Sequence, residues 1–218
     1  MKHILGIDVY NNIEPHNAYI SQRQYIKDST KRYTKYNLRA FSTPIDNRQS
    51  YMKSQCPEAG SPEATRMMNI AHKELVGTLL WIANGTRPDI TYAVTTLAKY
   101  TSNPGKLHWQ ALLCVLGYLS ATINHCICYT RNTEQVNGIT VTGHARGILP
   151  HISDFKCYVD ASYAGDEDTR RSTTGYMFKI CGGPVSWQSR MQTSVALSSM
   201  ESEYMVASTA AQEALWLN

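Results

Sequence analysis

The hydrophobic period of this chain changes near residue 154, and this change limits the possible folds more than any other feature. Before it, apolar residues repeat at helical spacing in three segments, namely 66–83, the segment that begins at Pro88, and 108–122. After it, FKCYVD, TTGYMFKIC and PVSWQSR read as strands separated by DEDTRR and GG. This order predicts an α/β fold of the mixed α+β type, with a helical layer before an antiparallel three-stranded meander.

Shorter elements are predicted towards both ends of the chain. The segments 3–9 and 17–22 read as the two strands of a β-hairpin, and residues 22–36 read as a short basic helix. A last helix begins in the segment SSMESEY, where Ser198 and Glu201 have the spacing of a capping box.

These elements divide the chain into four predicted parts. Residues 1–65 hold the hairpin, the basic helix and a polar loop, and residues 66–130 hold the three helices. Residues 131–152 contain three glycines without a strong period, so we interpret them as a linker. Residues 153–218 hold the meander and the last helix.

The composition is that of a globular chain, with 43% hydrophobic and 17% charged residues among 218. The net charge is +4, but it is uneven: residues 1–60 carry nine Lys and Arg against five Asp and Glu, whereas residues 151–218 carry five against eight. A basic body joined to an acidic end fits phosphate binding beside a cation site. Unevenly charged solvated faces explain the same difference equally well.

No apolar run of the sequence is long enough to span a bilayer, since even the longest runs, such as residues 79–82, are far too short. The N-terminal segment also lacks the long apolar stretch of a signal peptide. We therefore expect an intracellular chain, in the cytoplasm or the nucleus and not secreted, that does not associate with a membrane.

Four cations of the predicted basic helix are candidates for nucleic-acid binding, namely Lys27, Lys31, Arg32 and Lys35. Tyrosines lie among them, and cations that bind phosphates beside rings that stack on bases are typical of nucleic-acid surfaces. A solvated helix face is the alternative interpretation of this pattern.

Metal-assisted phosphoryl chemistry requires several carboxylates around one or two divalent cations, because these hard ions prefer oxygen ligands. Asp160 ends a predicted strand and precedes the small residues Ala161 and Ser162, so it is placed to meet a ligand. Capping of a turn is the alternative role for Asp160. The three acidic residues of DEDTRR are predicted to form a solvated hairpin tip.

The last helix offers two glutamates with different expected roles. Glu201 has a sufficient structural role as the acidic partner of the capping box. Glu203 has no such role, and it shares a predicted packing face with four alanines, so we expect a cation or a donor to meet it. These alanines are Ala207, Ala210, Ala211 and Ala214.

The chain resembles a known family over nearly its whole length. YVDASYAGDEDTRRSTTGYMFKICGGPVSWQSRMQTSVALSSMESEYMVAST is similar to the ribonuclease H domain of copia-like LTR retrotransposon Pol polyproteins. HKELVGTLLWIANGTRPDITYAVTTLAKYTSNPGKLHW resembles the connecting region that precedes this domain, and HILGIDVYNN and FSTPID resemble the end of the reverse transcriptase domain.

The resemblance implies a helical connection region followed by a truncated ribonuclease H-like domain. In that family, Mg²⁺ ions promote hydrolysis of the RNA strand of an RNA–DNA hybrid. Carried over by position, Asp160 and Glu203 match two of the family's carboxylates, which makes them the predicted catalytic residues and metal ligands. By position, the other ribonuclease H carboxylates of the family fall beyond Asn218. The polymerase aspartates of the family fall before the first predicted strand. We therefore expect neither catalytic site to be complete in this chain.

Three functions therefore remain open on the sequence. The first is a retrotransposon fragment without a complete site, and the second is a hybrid ribonuclease completed by another chain or a longer product. The third is a nucleic-acid-binding module.

Two structural expectations accompany these functions. Truncation would leave a sheet edge open, which favours self-association. Gly117 inside a helix should lower the stability of that helix by about 1 kcal/mol relative to alanine, as in a decayed copy.

Overall fold

The structure is a computed structural model and describes residues 2–12, 17–46, 48–130, 135–136, 139–140 and 155–217. Its first sheet contains β1 (Lys2–Ile4), β2 (Ile7–Asn12), β3 (Asn17–Ser21) and β4 (Ile127–Thr130). The four strands are antiparallel and lie in the order β1-β2-β3-β4.

The segment 3–9 was predicted as one strand, but it is itself a hairpin. Leu5 and Gly6 have φ of 52° and 81°, and they form a two-residue turn between β1 and β2. Tight hairpin turns of this kind need positive φ at both central residues, which glycine adopts without strain. The predicted strand over residues 17–22 is confirmed as β3.

Five helices build the main core. They are α1 (Arg23–Arg32), α2 (Pro62–Met68), α3 (His72–Gly85), α4 (Thr91–Ala98) and α5 (Lys106–Ala121). Leu75, Leu79, Leu112 and Leu116 are fully buried in the core between them. The predicted basic helix is confirmed as α1, whereas the helix predicted over residues 66–83 is two helices, because the chain turns after Met68.

A buried ion pair ties the end of α3 to α4 and α5. Arg87 is 1% exposed and donates to the Asp89 carboxylate through Nε at 2.9 Å and Nη2 at 2.6 Å. It also donates to the Thr122 carbonyl at 3.1 Å, and Tyr118 Oη donates to Asp89 at 2.8 Å. Burial raises the pKa of the Asp89 carboxyl, but the hydrogen bonds and charge of Arg87, together with the hydrogen bond from Tyr118, outweigh burial and hold this pKa below its usual value.

Gly117 permits a close approach between α5 and the segment before residue 41. A Cβ atom at this position would lie 2.1 Å from the carbonyl oxygen of Arg39 and 3.0 Å from the ring of Phe41. The structure therefore gives Gly117 a packing role, which the interpretation as a sign of decay did not foresee.

The second part of the chain contains β7 (Lys156–Ser162), β8 (Thr173–Ile180), β9 (Gly183–Met191) and α6 (Ser199–Leu217). The strands form an antiparallel meander in the order β7-β8-β9, and α6 packs on β7 and β8. The predicted meander and final helix, and with them the mixed α/β class, are confirmed. The linker predicted over residues 131–152 lies outside the described residues, apart from the short antiparallel pair β5 (Gln135–Val136) and β6 (Ile139–Thr140).

The meander has a small core of its own and is hydrogen-bonded to the first part of the chain. Tyr176, Phe178 and Ala210 are its clustered buried residues. Trp187 Nε1 donates to the carbonyl oxygen of Ala83 at 3.0 Å, which joins β9 to α3. Contacts between β4 and β9 add a second junction. Within the described ranges, no helix combines the length and apolar character needed to cross a membrane.

Candidate functional site

Asp160 lies on β7, directly opposite Gly175 of β8. Its neighbour Val159 lies opposite Tyr176, which packs against Ala210 of α6. Side chains alternate between the two faces of a strand, so the Asp160 side chain belongs to the face that α6 does not cover. Asp160 is exposed, and its cross-strand neighbour Gly175 has no side chain.

The first turn of α6 confirms the Ser198 half of the predicted capping box, whereas the Glu201 side chain reaches one residue further back than predicted. Ser198 Oγ accepts a hydrogen bond from the backbone N–H of Glu201 at 3.1 Å, and Glu201 Oε2 accepts one from the N–H of Leu197 at 2.6 Å. The helix start is therefore held by its own side chains. The Glu201 carboxylate therefore stabilises the start of the helix, which is a structural role and not ligand binding.

Glu203 is exposed, and the packing face predicted for it is wrong in part. The face of α6 that is buried against the sheet contains Ser202, Val206 and Ala210. Ala207 and Ala211 are exposed, because the helix turns a neighbouring stripe towards the sheet. Glu203 flanks this buried stripe instead of lying within it.

The structure brings Asp160 and Glu203 to neighbouring elements without joining them. In the part of the chain that the structure describes, neither carboxylate has a hydrogen-bond or ion-pair partner. α6 lies over β7, which is one of the two outer strands of this sheet, whereas the Asp160 side chain belongs to the opposite face. A ligand could therefore contact both carboxylates only by reaching around the edge of β7.

A fit test for Mg²⁺ gives an incomplete site. Over the described residues, no group of three or more His, Cys, Asp and Glu side chains lies close enough to hold a metal ion. Mg²⁺ requires octahedral oxygen coordination, and two-metal hydrolysis requires several carboxylates. Asp160 and Glu203 supply oxygen ligands of the correct type but do not by themselves form such a site.

The acidic loop, which we define as residues 166–168, was predicted to be a solvated hairpin tip. It does connect β7 to β8, and Glu167 and Asp168 are exposed, but the prediction is wrong for Asp166. Asp166 is only 6% exposed and accepts an ion-paired hydrogen bond from Lys99 of α4. The backbone N–H of Lys53 donates to both carboxylate oxygens of Asp168, at 2.9 and 3.0 Å. Glu167 accepts a hydrogen bond from the hydroxyl of Ser50. Each carboxylate of the loop thus contacts the first part of the chain.

Electrostatics agree with a structural role for this loop. Burial raises the pKa of the Asp166 carboxyl, but the hydrogen bonds from Lys99 and Thr169 outweigh burial and lower the pKa below its usual value. The charged form of Asp166 is therefore stabilised in the fold. A polar cavity of about 220 Å³ lies beside the loop and is lined by Ser50, Tyr92 and Lys99 among others.

Sequence reasoning missed this loop because its partners lie far away along the chain. Lys99 precedes Asp166 by 67 positions, and Lys53 precedes Asp168 by 115 positions. The only available signal was the number of carboxylates, which exceeds what a turn requires. Three consecutive acidic residues beside Arg170 and Arg171 equally suit a solvated turn.

The four predicted nucleic-acid-binding cations are all exposed on α1 and the turn after it. Arg32 is ion-paired to Glu74 at 3.1 Å, and Lys31 lies 3.6 Å from Asp28. Among the described residues, Lys27 and Lys35 contact no carboxylate, and the Nζ atom of Lys35 lies 5.0 Å from the ring centre of Tyr36. Exposed ion pairs are weak, so a phosphate could replace either carboxylate.

The chain is similar over its whole length to transposon proteins of plants. It is 35% identical over 214 residues, 98% of the chain, to the "Retrovirus-related Pol polyprotein from transposon TNT 1-94" of Nicotiana tabacum. It is 31% identical over 218 residues to the "Retrovirus-related Pol polyprotein from transposon RE1" of Arabidopsis thaliana. The chain spans only 15% and 13% of the lengths of these two relatives.

A shorter relative matches over most of its own length. The chain is 42% identical over 152 residues to the "Secreted RxLR effector protein 161" of Plasmopara viticola, covering 69% of the chain and 94% of that protein. No family model matches the chain, and no solved structure matches it significantly.

Proposed function

Since this chain belongs to the copia-like retrotransposon Pol polyproteins, we propose that it runs from the end of their reverse transcriptase region into ribonuclease H. The order of elements carries this proposal: an antiparallel meander, β7 to β9, leads directly into α6. Asp160 on the first strand and Glu203 near the start of the helix have the positions expected of the first two ribonuclease H carboxylates. The helices α2 to α5 would then be the connection region.

We propose that this chain alone has no complete catalytic site. Asp160 and Glu203 would hold Mg²⁺ only together with ligands from a longer product or from another chain. The bound ion would then supply the activated water and the charge neutralisation that phosphodiester hydrolysis needs. The alternative function is therefore a Mg²⁺-dependent ribonuclease, specific for RNA–DNA hybrids, that other residues complete.

A hybrid-cleavage assay tests this proposal. The full chain is incubated with Mg²⁺ and a labelled RNA–DNA hybrid, beside an Asp160→Asn variant and a control variant Glu58→Gln, whose carboxylate is exposed far from α6 along the sequence. We expect no RNA cleavage above background by any of the three. Cleavage by the wild type and by Glu58→Gln that is lost in Asp160→Asn would instead establish the ribonuclease.

Nucleic-acid binding is a second candidate function, because Lys27 and Lys35 are exposed cations without a carboxylate in contact among the described residues. Binding of a hybrid or a duplex would depend steeply on salt, since neutralised phosphates release their counterions. Replacing both lysines by Gln should reduce the slope of log affinity against log salt by about 1 to 2. A Lys106→Gln control, which removes an exposed cation of α5, should leave the slope unchanged.

The remaining parts of the proposal concern location and association. We propose an intracellular location, because nucleic-acid substrates of the expected kind are found there. We also propose that the open edge of the second sheet favours self-association. Fractionation of cells that express a tagged chain tests the first of these statements, and sedimentation of the purified chain at several concentrations tests the second.

A further inference from the structure

His108 lies in the first turn of α5, and its side chain is fully buried. Its Nδ1 atom accepts a hydrogen bond from the backbone N–H of Gly105 at 3.0 Å. Because Nδ1 is the acceptor, the neutral ring carries its proton on Nε2. The imidazole therefore caps the start of α5, but only while Nδ1 has no proton.

The packing around the ring of His108 restricts its rotation. The ring stacks on that of Tyr100, with ring centres 4.0 Å apart and an interplanar angle of 6°, and the ring centre of Tyr51 lies 6.3 Å away. Gly105 is also tightly packed, since a Cβ atom at this position would lie 1.9 Å from the carbonyl oxygen of Gln55. A proton on Nδ1 would therefore face the Gly105 N–H without space for either donor to move aside.

The tyrosine that stacks on His108 connects this ring to the acidic loop. Tyr100 Oη contacts the carbonyl oxygen of Tyr51 and lies 3.3 Å from Oδ2 of Asp168. Asp168 also accepts the backbone hydrogen bonds that anchor the acidic loop on the segment 51–56. This segment is thus held between the start of α5 and the acidic loop.

The titratable side chains that face His108 come from three further parts of the fold. They are Tyr51, Tyr100, His72 of α3 and Asp168 of the acidic loop. Burial lowers the pKa of the His108 imidazole below its usual value, although the Met52 backbone and the charge of Asp168 act in the opposite direction. The nearest cations along the chain, Lys53 and Lys106, are exposed. The fold therefore favours the neutral ring.

We propose that His108 is an acid-sensitive contact: proton uptake by its Nδ1 atom breaks the cap at Gly105 and opens the segment 51–56. Opening of this segment separates the Lys53 N–H from Asp168, so acid weakens the attachment of the acidic loop to the first part of the chain. Neither a metal ion nor a nucleic acid takes part, so this role of His108 is independent of the proposed function.

The direction of the pH dependence follows from the protons that each form binds. The pKa of His108 is lowered by burial in the closed form, whereas the open form exposes the ring, which then titrates near its ordinary pKa of about 6.5. The open form therefore binds more protons, and the closed form loses stability relative to it as the pH falls below about 6.5. At about pH 5.5 the open population should rise by up to about tenfold over its value at neutral pH.

Amide hydrogen exchange of the full chain tests this role. The rates are measured by NMR in EDTA, without nucleic acid, from about pH 7.5 to about pH 5.5. Each rate is divided by the rate of the same amide in the unfolded chain at that pH, which removes the intrinsic pH dependence of exchange. The amide of Gly105 reports the cap, and that of Lys53 reports the anchor. In the wild type the protection of both should fall together, by up to about tenfold.

Two matched variants assign the effect to one ring. His108→Asn keeps a side-chain acceptor for the Gly105 N–H but does not titrate in this range, so the protection of both amides should become independent of pH. His72→Leu removes the other buried imidazole of this region and should retain the dependence.

The ¹⁵N chemical shifts of the His108 ring provide a test in the wild type that needs no variant. At about pH 7.5 they should show a proton on Nε2 and none on Nδ1. The ring should then gain the Nδ1 proton over the same pH range in which the two amides lose protection.

Several results overturn the proposal. These are a proton on Nδ1 at about pH 7.5, protection of the two amides that does not change with pH, and a loss at Gly105 without a loss at Lys53. An equal loss in His108→Asn, or a loss that disappears in His72→Leu, also overturns it. A joint loss in the wild type and in His72→Leu that is absent from His108→Asn supports it.

Discussion

The backbone N–H of Lys53 donates to both carboxylate oxygens of Asp168, across 115 positions of the sequence. The hydroxyl of Tyr100 also lies 3.3 Å from the same carboxylate. A loop between two strands of the second sheet is therefore anchored on the first part of the chain.

Removal of the Asp168 carboxylate should destabilise the whole chain. Asp168→Ala leaves the Lys53 N–H without its acceptor, so we expect the free energy of unfolding to fall by about 1 kcal/mol or somewhat more. Urea unfolding followed by circular dichroism measures this change. The variant Glu58→Ala removes an exposed carboxylate as a control, and an equal loss in both variants would contradict an anchoring role.

Asp166 should make the chain sensitive to acid below about pH 4. The pKa of this carboxyl is lowered in the fold, so its stabilisation is present above the unfolded pKa and is lost as the pH falls through the folded pKa. Unfolding midpoints measured from pH 6 to pH 2 should therefore decline less steeply in Asp166→Asn than in the wild type. Parallel declines would contradict this assignment.

His72 should lower the free energy of unfolding in a higher pH range than Asp166, because its imidazole takes up a proton on unfolding. The residue is 2% exposed, and burial lowers the pKa of its imidazole to about 4. The unfolded chain then binds a proton near pH 6.5 while the folded chain does not, so stability falls as the pH decreases from 6.5 to 4. The full loss over this window is about 3 kcal/mol.

A hydrophobic replacement of His72 separates this effect from other acid effects. His72→Leu should flatten the decrease in stability between pH 6.5 and pH 4, whereas the exposed His125 should leave it unchanged when replaced by Gln. Equilibrium unfolding at several pH values provides the measurement. A wild type whose stability is constant over this window would refute the prediction.

Two helical glycines should respond in opposite ways to the same substitution. Gly117→Ala places a Cβ 2.1 Å from the Arg39 carbonyl, so we expect a loss of about 1 to 3 kcal/mol despite better helix propensity. Gly77 of α3 has no heavy atom within 4 Å of the added Cβ, and Gly77→Ala should gain up to about 1 kcal/mol. Thermal melts of the pair of variants test this contrast, and stabilisation by both would contradict the packing role of Gly117.

The local periods of the sequence predicted most of the elements. The apolar spacing of α5 and the alternation of β8 reflect which side is buried, so these elements could be recognised without knowledge of their partners. The break after Met68 was missed because the apolar period continues across it. The Ser198 cap of α6 was predicted correctly, since its hydrogen bond to Glu201 lies within one turn.

Long-range contacts could not be predicted in the same way. The burial of Asp166 depends on Lys99, and the orientation of α6 depends on which of two adjacent stripes fits β8. Ala207 and Ala210 lie on adjoining stripes of the helix, so the amino-acid composition made both stripes equally suitable for packing on the sheet. For Asp160 and Glu203, the sequence indicated their elements, but their catalytic role stays a prediction, because it requires ligands that the described residues do not supply.

The anchored acidic loop bears on how the chain is divided for study. A construction that separates residues 153–218 from the helices would leave Asp166 without Lys99 and Trp187 without its acceptor at Ala83. The excised piece would then retain a core of only a few clustered side chains. Truncation series designed on hydrophobic period alone would therefore measure the loss of this anchor rather than the intrinsic competence of either half.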